Sequence, residues 1–241
     1  MAGPDAEDLL DRMLSNDVKA LGTGDACEAL LLTAKARVIA PLVAWRRGAD
    51  DFLLLTEEGL GGAVRAALLR ARFAAKAEVE LEEHVAWLVL GATDSGGIAN
   101  ADYGLDAVEV LDRRPAGDPV DADELERLRI RARTPAWGKE IDDRVLPAEA
   151  GLVERAVSLG KGCFPGQEPI ARLHYRGHAN RGLRVLEVEG APDAETEVRY
   201  GDKAVGRITS SVPGLALAYV RVEVPADAEL DVGGRRALQL H

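Results

Sequence analysis

An α+β fold assembled from small antiparallel units is what this sequence predicts, on three observations. Three apolar runs follow one another over 29–55 with polar turns between them. Residues 52–90 then read in the order strand, helix, strand, strand. Beyond residue 190 the chain becomes a series of short strands split by Gly, Pro and Asp. With 241 residues and 47% hydrophobic content, it can bury a core as one compact unit or as two to three small ones.

Met1 to Leu21 reads as a helix, with Leu9, Leu10, Met13 and Leu14 on one side and an acidic first turn. Ser15-Asn16-Asp17 is its stop. Ala29–Leu32 and Arg37–Trp45 are two strands of a hairpin around Thr33-Ala34-Lys35, and Arg46–Asp51 turns the chain into a third strand, Phe52–Leu55. Strands in series favour antiparallel pairing. The Ala/Leu/Arg-rich stretch Glu57–Lys76 is a helix, and Glu78–Glu82 and Val85–Leu90 are strands. That β-α-β-β order suits half of a ferredoxin-like layer.

Gly91–Gly104, with Asp94-Ser95-Gly96-Gly97, reads as a loop and Ala107–Leu111 as a strand. Asp121–Arg133 is a helix capped by Asp121, with Asp123 and Glu124 in its positive first turn. Thr134–Pro147 is irregular, and Ala148–Val157 is a further helix. Arg184–Glu189, Glu197–Arg199, Lys203–Thr209, Ala216–Val222 and Ala237–Leu240 form a small β-barrel or sandwich. By composition, Gly190-Ala191-Pro192 is the best boundary candidate.

The formal net charge of -11 argues against broad electrostatic binding to nucleic acid or anionic lipid. One segment runs the other way: Arg172, His174, Arg176, His178, Arg181 and Arg184 have no acid among them. A solvated face and an anion-binding segment are both compatible with such a run. No apolar run is long enough to cross a bilayer, and Met1–Asp11 does not read as a signal peptide, so a cytoplasmic protein is expected. Its two cysteines, Cys27 and Cys163, offer neither a disulfide framework nor a CxxC metal knuckle. A Gly-x-Ser-x-Gly elbow, a Walker lysine loop and a His-Glu-x-x-His motif are all missing from the sequence. His174 and His178 stand four apart in what reads as an extended segment, with no acid or cysteine near enough to complete a metal site.

The most informative stretch is 161–168, Lys-Gly-Cys-Phe-Pro-Gly-Gln-Glu. A thiol reacts as its thiolate, so Lys161 beside Cys163 and the open backbone at Gly162 and Gly166 would raise its reactivity. Structural burial of Cys163 is the alternative. Gln167 and Glu168 can hold a ligand amide or ring nitrogen, or satisfy the turn. Asn16 and Asp17 can bind a heterocycle, or make local turn bonds.

This octapeptide, followed by Ala171-Arg172 and Arg181-Gly182-Leu183, closely resembles the signature of the YgfZ-type folate-binding proteins, relatives of the glycine-cleavage T-protein. Ser15-Asn16-Asp17-Val18, Leu146–Leu152, Gly206–Ser210 and Ala218-Tyr219 match in the same order, so the likeness covers nearly the whole chain. It implies three small domains in a ring: a discontinuous folate-binding domain (1–47 and 105–180), a ferredoxin-like domain (48–104) and a C-terminal β-barrel (181–241). It also implies a strand preceding Gly3-Pro4-Asp5-Ala6, which would make the start truncated or misassigned.

As function, the resemblance implies an accessory factor that binds tetrahydrofolate or a one-carbon derivative and supports assembly or repair of iron–sulfur proteins, including tRNA-modifying enzymes. Cys163 would be the working thiol, with Lys161 favouring its thiolate. Asn16, Asp17, Gly162, Gly166, Gln167 and Glu168 would line the folate site, and Arg172 and Arg181 would attract its glutamate carboxylates. Expected partners are folate and iron–sulfur proteins or their assembly factors, with neither membrane nor a resident metal. The T-protein relatives are aminomethyltransferases that use an aspartate in a Gly-Gly-x-x-Asp-Asp stretch. The matching positions here, Ala36–Pro41, carry no carboxylate, and Arg131 replaces a pterin-holding glutamate. An aminomethyltransferase and a ligand-free scaffold are the alternative readings.

Overall fold

The computed structural model describes residues 1–92 and 96–240. In chain order its elements are α1 (Ala6–Met13), a 3-10 turn (Val18–Ala20), β1 (Ala26–Leu32), β2 (Val38–Gly48), β3 (Asp51–Thr56), α2 (Gly61–Arg72), β4 (Ala86–Leu90), β5 (Ile98–Asn100), β6 (Ala107–Leu111), α3 (Ala122–Arg131), α4 (Val153–Ala156), α5 (Gln167–Arg176), β7 (Arg181–Val188), β8 (Glu197–Tyr200), β9 (Lys203–Val212), β10 (Leu215–Arg221), β11 (Leu230–Val232) and β12 (Arg235–Leu240). The chain divides into two compact units. The first holds residues 1–86, 142–148 and 152–177, and the second 87–141, 149–151 and 178–241.

In the first unit, β1, β2 and β3 form an antiparallel sheet in sequence order, with Cys27 opposite Ala44 and Leu42 opposite Thr56. Burial alternates along β2, where Val38, Ala40, Leu42 and Ala44 are buried and their neighbours only partly so. That period of two is what packs one face of a sheet against a core. Leu9, Leu10 and Leu14 from the N-terminal segment, Phe52 from β3, and Val64, Ala67 and Leu68 from α2 complete that core. Each fully buried Leu or Phe contributes about 1.5–3 kcal/mol by leaving water.

Helix α1 is shorter than the 1–21 helix the sequence predicts. Ala2 instead bridges to Asp51 and Glu78, and Leu14 is extended and bridges to Leu31. Glu78–Glu82 is not a strand, since Glu78 makes only that isolated bridge. The predicted helix over 148–157 contracts to the four residues of α4.

In the second unit, β4, β6 and β5 form a small sheet, so the strands of the β-α-β-β stretch are shared between two sheets. β5 lies inside the predicted loop 91–104, whose Asp94-Ser95 fall outside the described residues. Asp121 caps α3 as predicted, accepting from the Asp123 amide at 2.9 Å. β7 to β12 close into an antiparallel barrel in the order β10-β7-β12-β11-β8-β9. The predicted strands are all present, and β11 joins them. Because β7 pairs with both β10 and β12, Gly190-Ala191-Pro192 is a turn within the barrel and no boundary. Closure removes the sheet edges that a sandwich would have to protect. At Gly206 a Cβ would sit 2.0 Å from the Tyr219 carbonyl oxygen, so only glycine permits that approach of β9 to β10. Ile130 of α3 is buried with Val185, Val212, Leu215 and Leu217.

Candidate functional site

The loop that carries Cys163 is built on Lys161. Its side chain is only 2% exposed and its ammonium contacts an Asp11 carboxylate oxygen at 3.1 Å. It donates to the carbonyls of Leu14 and Asn16, each at 2.9 Å, and to that of Asp11. It also lies 5.7 Å from the centroid of the Phe164 ring, which is buried. A buried ammonium has three donors, and burying them is costly unless acceptors such as these meet them.

The role expected for Lys161 is therefore corrected. Its protons hold the end of α1 and the chain that follows, and they are not directed at the Cys163 thiol. A single residue, Gly162, separates the two in sequence, yet Lys161 is turned inward while Cys163 is exposed.

Ser15-Asn16-Asp17 forms the other half of this anchor. The Ser15 hydroxyl donates to the Ala156 carbonyl at 2.6 Å and accepts from the Leu30 amide at 2.8 Å. Asn16 donates its amide to the carbonyls of Glu28 at 2.7 Å and Arg155 at 3.5 Å, while its oxygen accepts from the Asp17 amide at 2.9 Å. Asp17 caps the 3-10 turn through the amides of Lys19 and Ala20. Of the two readings of Asn16 and Asp17, the local-turn reading accounts for these contacts. An Arg155–Glu28 ion pair at 2.6 Å closes the strap between β1 and α4.

Past the cysteine, Gly166 takes a left-handed φ of +84° and precedes α5. A Cβ there would lie 2.8 Å from the Thr33 carbonyl oxygen and 2.9 Å from the Ala36 Cα. The β1–β2 turn thus packs directly on the loop, and Ala36 itself is buried with φ +57°. Gly162 meets nothing closer than 3.9 Å. Helix α5 corrects the extended reading of this region. Pro169 lies in its first turn, Ile170 is its buried contact, and His174 and Arg176 sit at its negative C-terminal end. Glu168 and Arg172 are exposed and Gln167 is half-buried. Among the described residues, none of these three side chains carries a hydrogen-bonding or ionic partner.

The stretch 36–41 presents Ala, Arg, Val, Ile, Ala and Pro. Its one charged group, Arg37, donates to the Arg144 carbonyl. The second thiol, Cys27 on β1, is half-buried, and burial pushes its pKa up to about 11.

Arg181 belongs to the second unit, where its charge is already met. It forms a two-point pair with Glu149 at 3.2 and 3.1 Å and lies over the Tyr219 ring at 4.7 Å. Tyr219 donates to the Glu140 carbonyl at 2.8 Å, and burial raises its pKa above the ordinary value.

Glu140, whose side chain is fully buried, accepts from Arg129 at 3.0 Å and from Ser210 at 2.7 Å. Arg129 reaches further to Glu126, Ser210 and the Thr134 carbonyl. Sequence reasoning missed this network, since Arg129 and Glu140 sit eleven residues apart across a stretch without periodicity. Arg131, by contrast, is an exposed residue of the last turn of α3.

Among the described residues no helix is long and apolar enough to cross a membrane. No group of three or more His, Cys, Asp or Glu among them is placed to hold a metal ion.

Residues 180–240 match the family model described as the CAF17 C-terminal beta-barrel domain. The chain is 25% identical over 242 residues to an uncharacterized protein of Haemophilus influenzae, covering 94% of this chain and 85% of that one. It is likewise 25% identical over 321 residues to an aminomethyltransferase of Corynebacterium jeikeium, covering 98% and 81%. In structure it resembles the glycine cleavage system aminomethyltransferase T of Bartonella henselae, with a TM-score of 0.80 at 20% identity, over 100% of this chain and 81% of that one. The fold is that of a T-protein with a barrel at its C-terminal end.

Proposed function

We propose that this chain is a tetrahydrofolate-binding accessory factor of the YgfZ type, supporting assembly or repair of iron–sulfur proteins, and that it performs no aminomethyl transfer. One observation carries the reading. The chain keeps an exposed thiol on a rigidly anchored loop, while the neighbouring turn and strand, 36–41, offer no carboxylate. Proton removal at a folate nitrogen during one-carbon transfer calls for a group of that kind.

Residues of α5 fit a folate by donor type. Gln167 and Glu168 supply an amide and a carboxylate for the pterin ring, and Arg172 a cation for a glutamate tail. Asn16, Asp17 and Arg181, by contrast, already have partners. Bound folate would supply a one-carbon or reducing unit. The chain's own part is to hold it and to present Cys163, whose thiol serves as a transient metal–sulfur ligand or as a reversibly oxidised group.

Two measurements test the proposal. Reduced folate should quench the fluorescence of Trp45, Trp87 or Trp137 saturably, and Cys163→Ala should abolish support of iron–sulfur enzymes in cells without unfolding the protein. Full support by the alanine variant overturns it.

A second reading, a folate-dependent aminomethyltransferase, is favoured by relatives of that name matched over almost the whole chain. Turnover of the purified protein with an aminomethyl donor and tetrahydrofolate would establish that reading instead.

A further inference from the structure

We propose that Phe73 anchors a docking surface for a second protein, one that offers an apolar pocket rimmed by carboxylates. The backbone singles this residue out first. Helix α2 ends at Arg72, and Phe73 takes φ 43° and ψ -116°. The Ala75 amide donates to the Arg72 carbonyl at 2.8 Å, so Phe73 is the second residue of a four-residue turn of type II′ geometry. Glycine is the usual occupant there, because an L side chain at positive φ is strained. A bulky aromatic is among the least suited residues for the position.

The side chain gains nothing from the rest of the fold in return. Phe73 is 90% exposed, the most of any large hydrophobic residue among those described. A strained backbone that projects an aromatic ring into water disfavours the isolated molecule twice. Contact with something outside the chain accounts for both.

Charge identifies the kind of partner. Residues 62–77 contain Arg65, Arg70, Arg72 and Lys76 and no Asp or Glu, in a chain of net charge -11. Arg65 and Arg72 donate to the carbonyls of Val79 and Ala77. Arg70 and Lys76 are exposed on either side of the ring in sequence. An aromatic side chain flanked by cations complements an apolar pocket with acidic edges. A membrane is the weaker match, since one ring and a few cations bind anionic lipid only marginally and the remaining charge is repelled. The inference is independent of folate binding.

The test uses the full chain with photoreactive benzoylphenylalanine at position 73, expressed in its native host, with position 238 as an exposed control. A discrete protein adduct formed at 73 and not at 238 is expected, and the captured protein is then purified for titration. Phe73→Ala should weaken that affinity by at least about thirtyfold. Lys76→Glu should weaken it further, and added salt should weaken the wild-type pair. Phe73→Gly should lose binding while raising the melting temperature by about 2–4 °C, as the turn strain is relieved.

Absence of an adduct at 73, or the same adduct at both positions, overturns the proposal, as does equal affinity of the alanine variant. A lower melting temperature for Phe73→Gly also overturns it, because the ring would then stabilise its own fold. So does Phe73-dependent retention on phosphatidylcholine–phosphatidylserine vesicles without any protein adduct, which would assign the surface to a membrane.

Discussion

Lys161 donates its ammonium to the main-chain carbonyl of Asn16 at 2.9 Å, across 145 residues of sequence. That bond fixes the start of the cysteine loop to the chain leaving α1. Lys161→Met keeps the length of the side chain and removes the donors, leaving three carbonyls and the Asp11 carboxylate without their cation. A loss of about 2–4 kcal/mol is expected, measured by urea unfolding. Lys161→Arg should restore little of it, because a planar fork does not reproduce the tetrahedral donor set.

Gly166 and Gly162 flank the same cysteine under different constraints. Gly166→Ala meets both a positive φ and backbone atoms within 3 Å, so about 2–4 kcal/mol of destabilisation is expected. Gly162→Ala meets only an ordinary contact, with the Asp11 carboxylate at 3.9 Å, and should cost less than about 1 kcal/mol. Thermal unfolding of the two variants side by side checks the contrast; equal effects would mean that the β1–β2 turn does not pack on the loop as described.

In the second unit, Glu140 is fully buried against Arg129 and Ser210. Arg129→Met strands that carboxylate and should destabilise by about 3–5 kcal/mol. Ser210→Ala removes one bond while leaving the ion pair and should cost about 1–2 kcal/mol. A double-mutant cycle measures their coupling, and additive losses would show that the three groups do not act as one network.

Most of the fold was legible in the sequence because its signals are local. Turn residues punctuate β7 to β12, and apolar alternation marks β2. The strand pattern alone left barrel and sandwich open, because closure rests on the pairing of β9 with β10 and of β12 with β7; the family resemblance was what named a barrel. Helix α5 was hidden by a polar, Arg- and His-rich composition with one buried contact, Ile170. Pro169, suited to a first helical turn, was the available signal. At the site, proximity in sequence misled. Lys161 stands two residues from Cys163, yet its charge is used by carbonyls of residues 11, 14 and 16.

Acid should weaken the pairing of Glu126 with Arg129. Hydrogen bonding to Arg129 holds its carboxyl down to about 2, below the ordinary value of 4.5. Since the folded-state pKa is depressed, this pairing stabilises fully above about pH 4.5 and is lost as pH falls from there toward 2. Glu126→Gln should lower stability across the plateau above about pH 4.5 and flatten the acid limb between there and about pH 2, where the wild-type protein loses the same pairing. An unchanged acid limb, followed by circular dichroism, would remove Glu126 from the network.

The two thiols should separate cleanly by chemistry. Cys163 is exposed, whereas Cys27 is half-buried on β1 with its pKa pushed up to about 11 by burial. At pH 8 Cys27 is therefore almost wholly the unreactive thiol and is also shielded. Brief treatment of the native protein with iodoacetamide should add one group, at Cys163, by peptide mass analysis. Cys163→Ala should add none in the same time, and urea should bring Cys27 into reaction in both proteins. Rapid native modification of Cys27 would mean that β1 opens readily, and thiol chemistry in this fold could then no longer be assigned to the anchored loop alone.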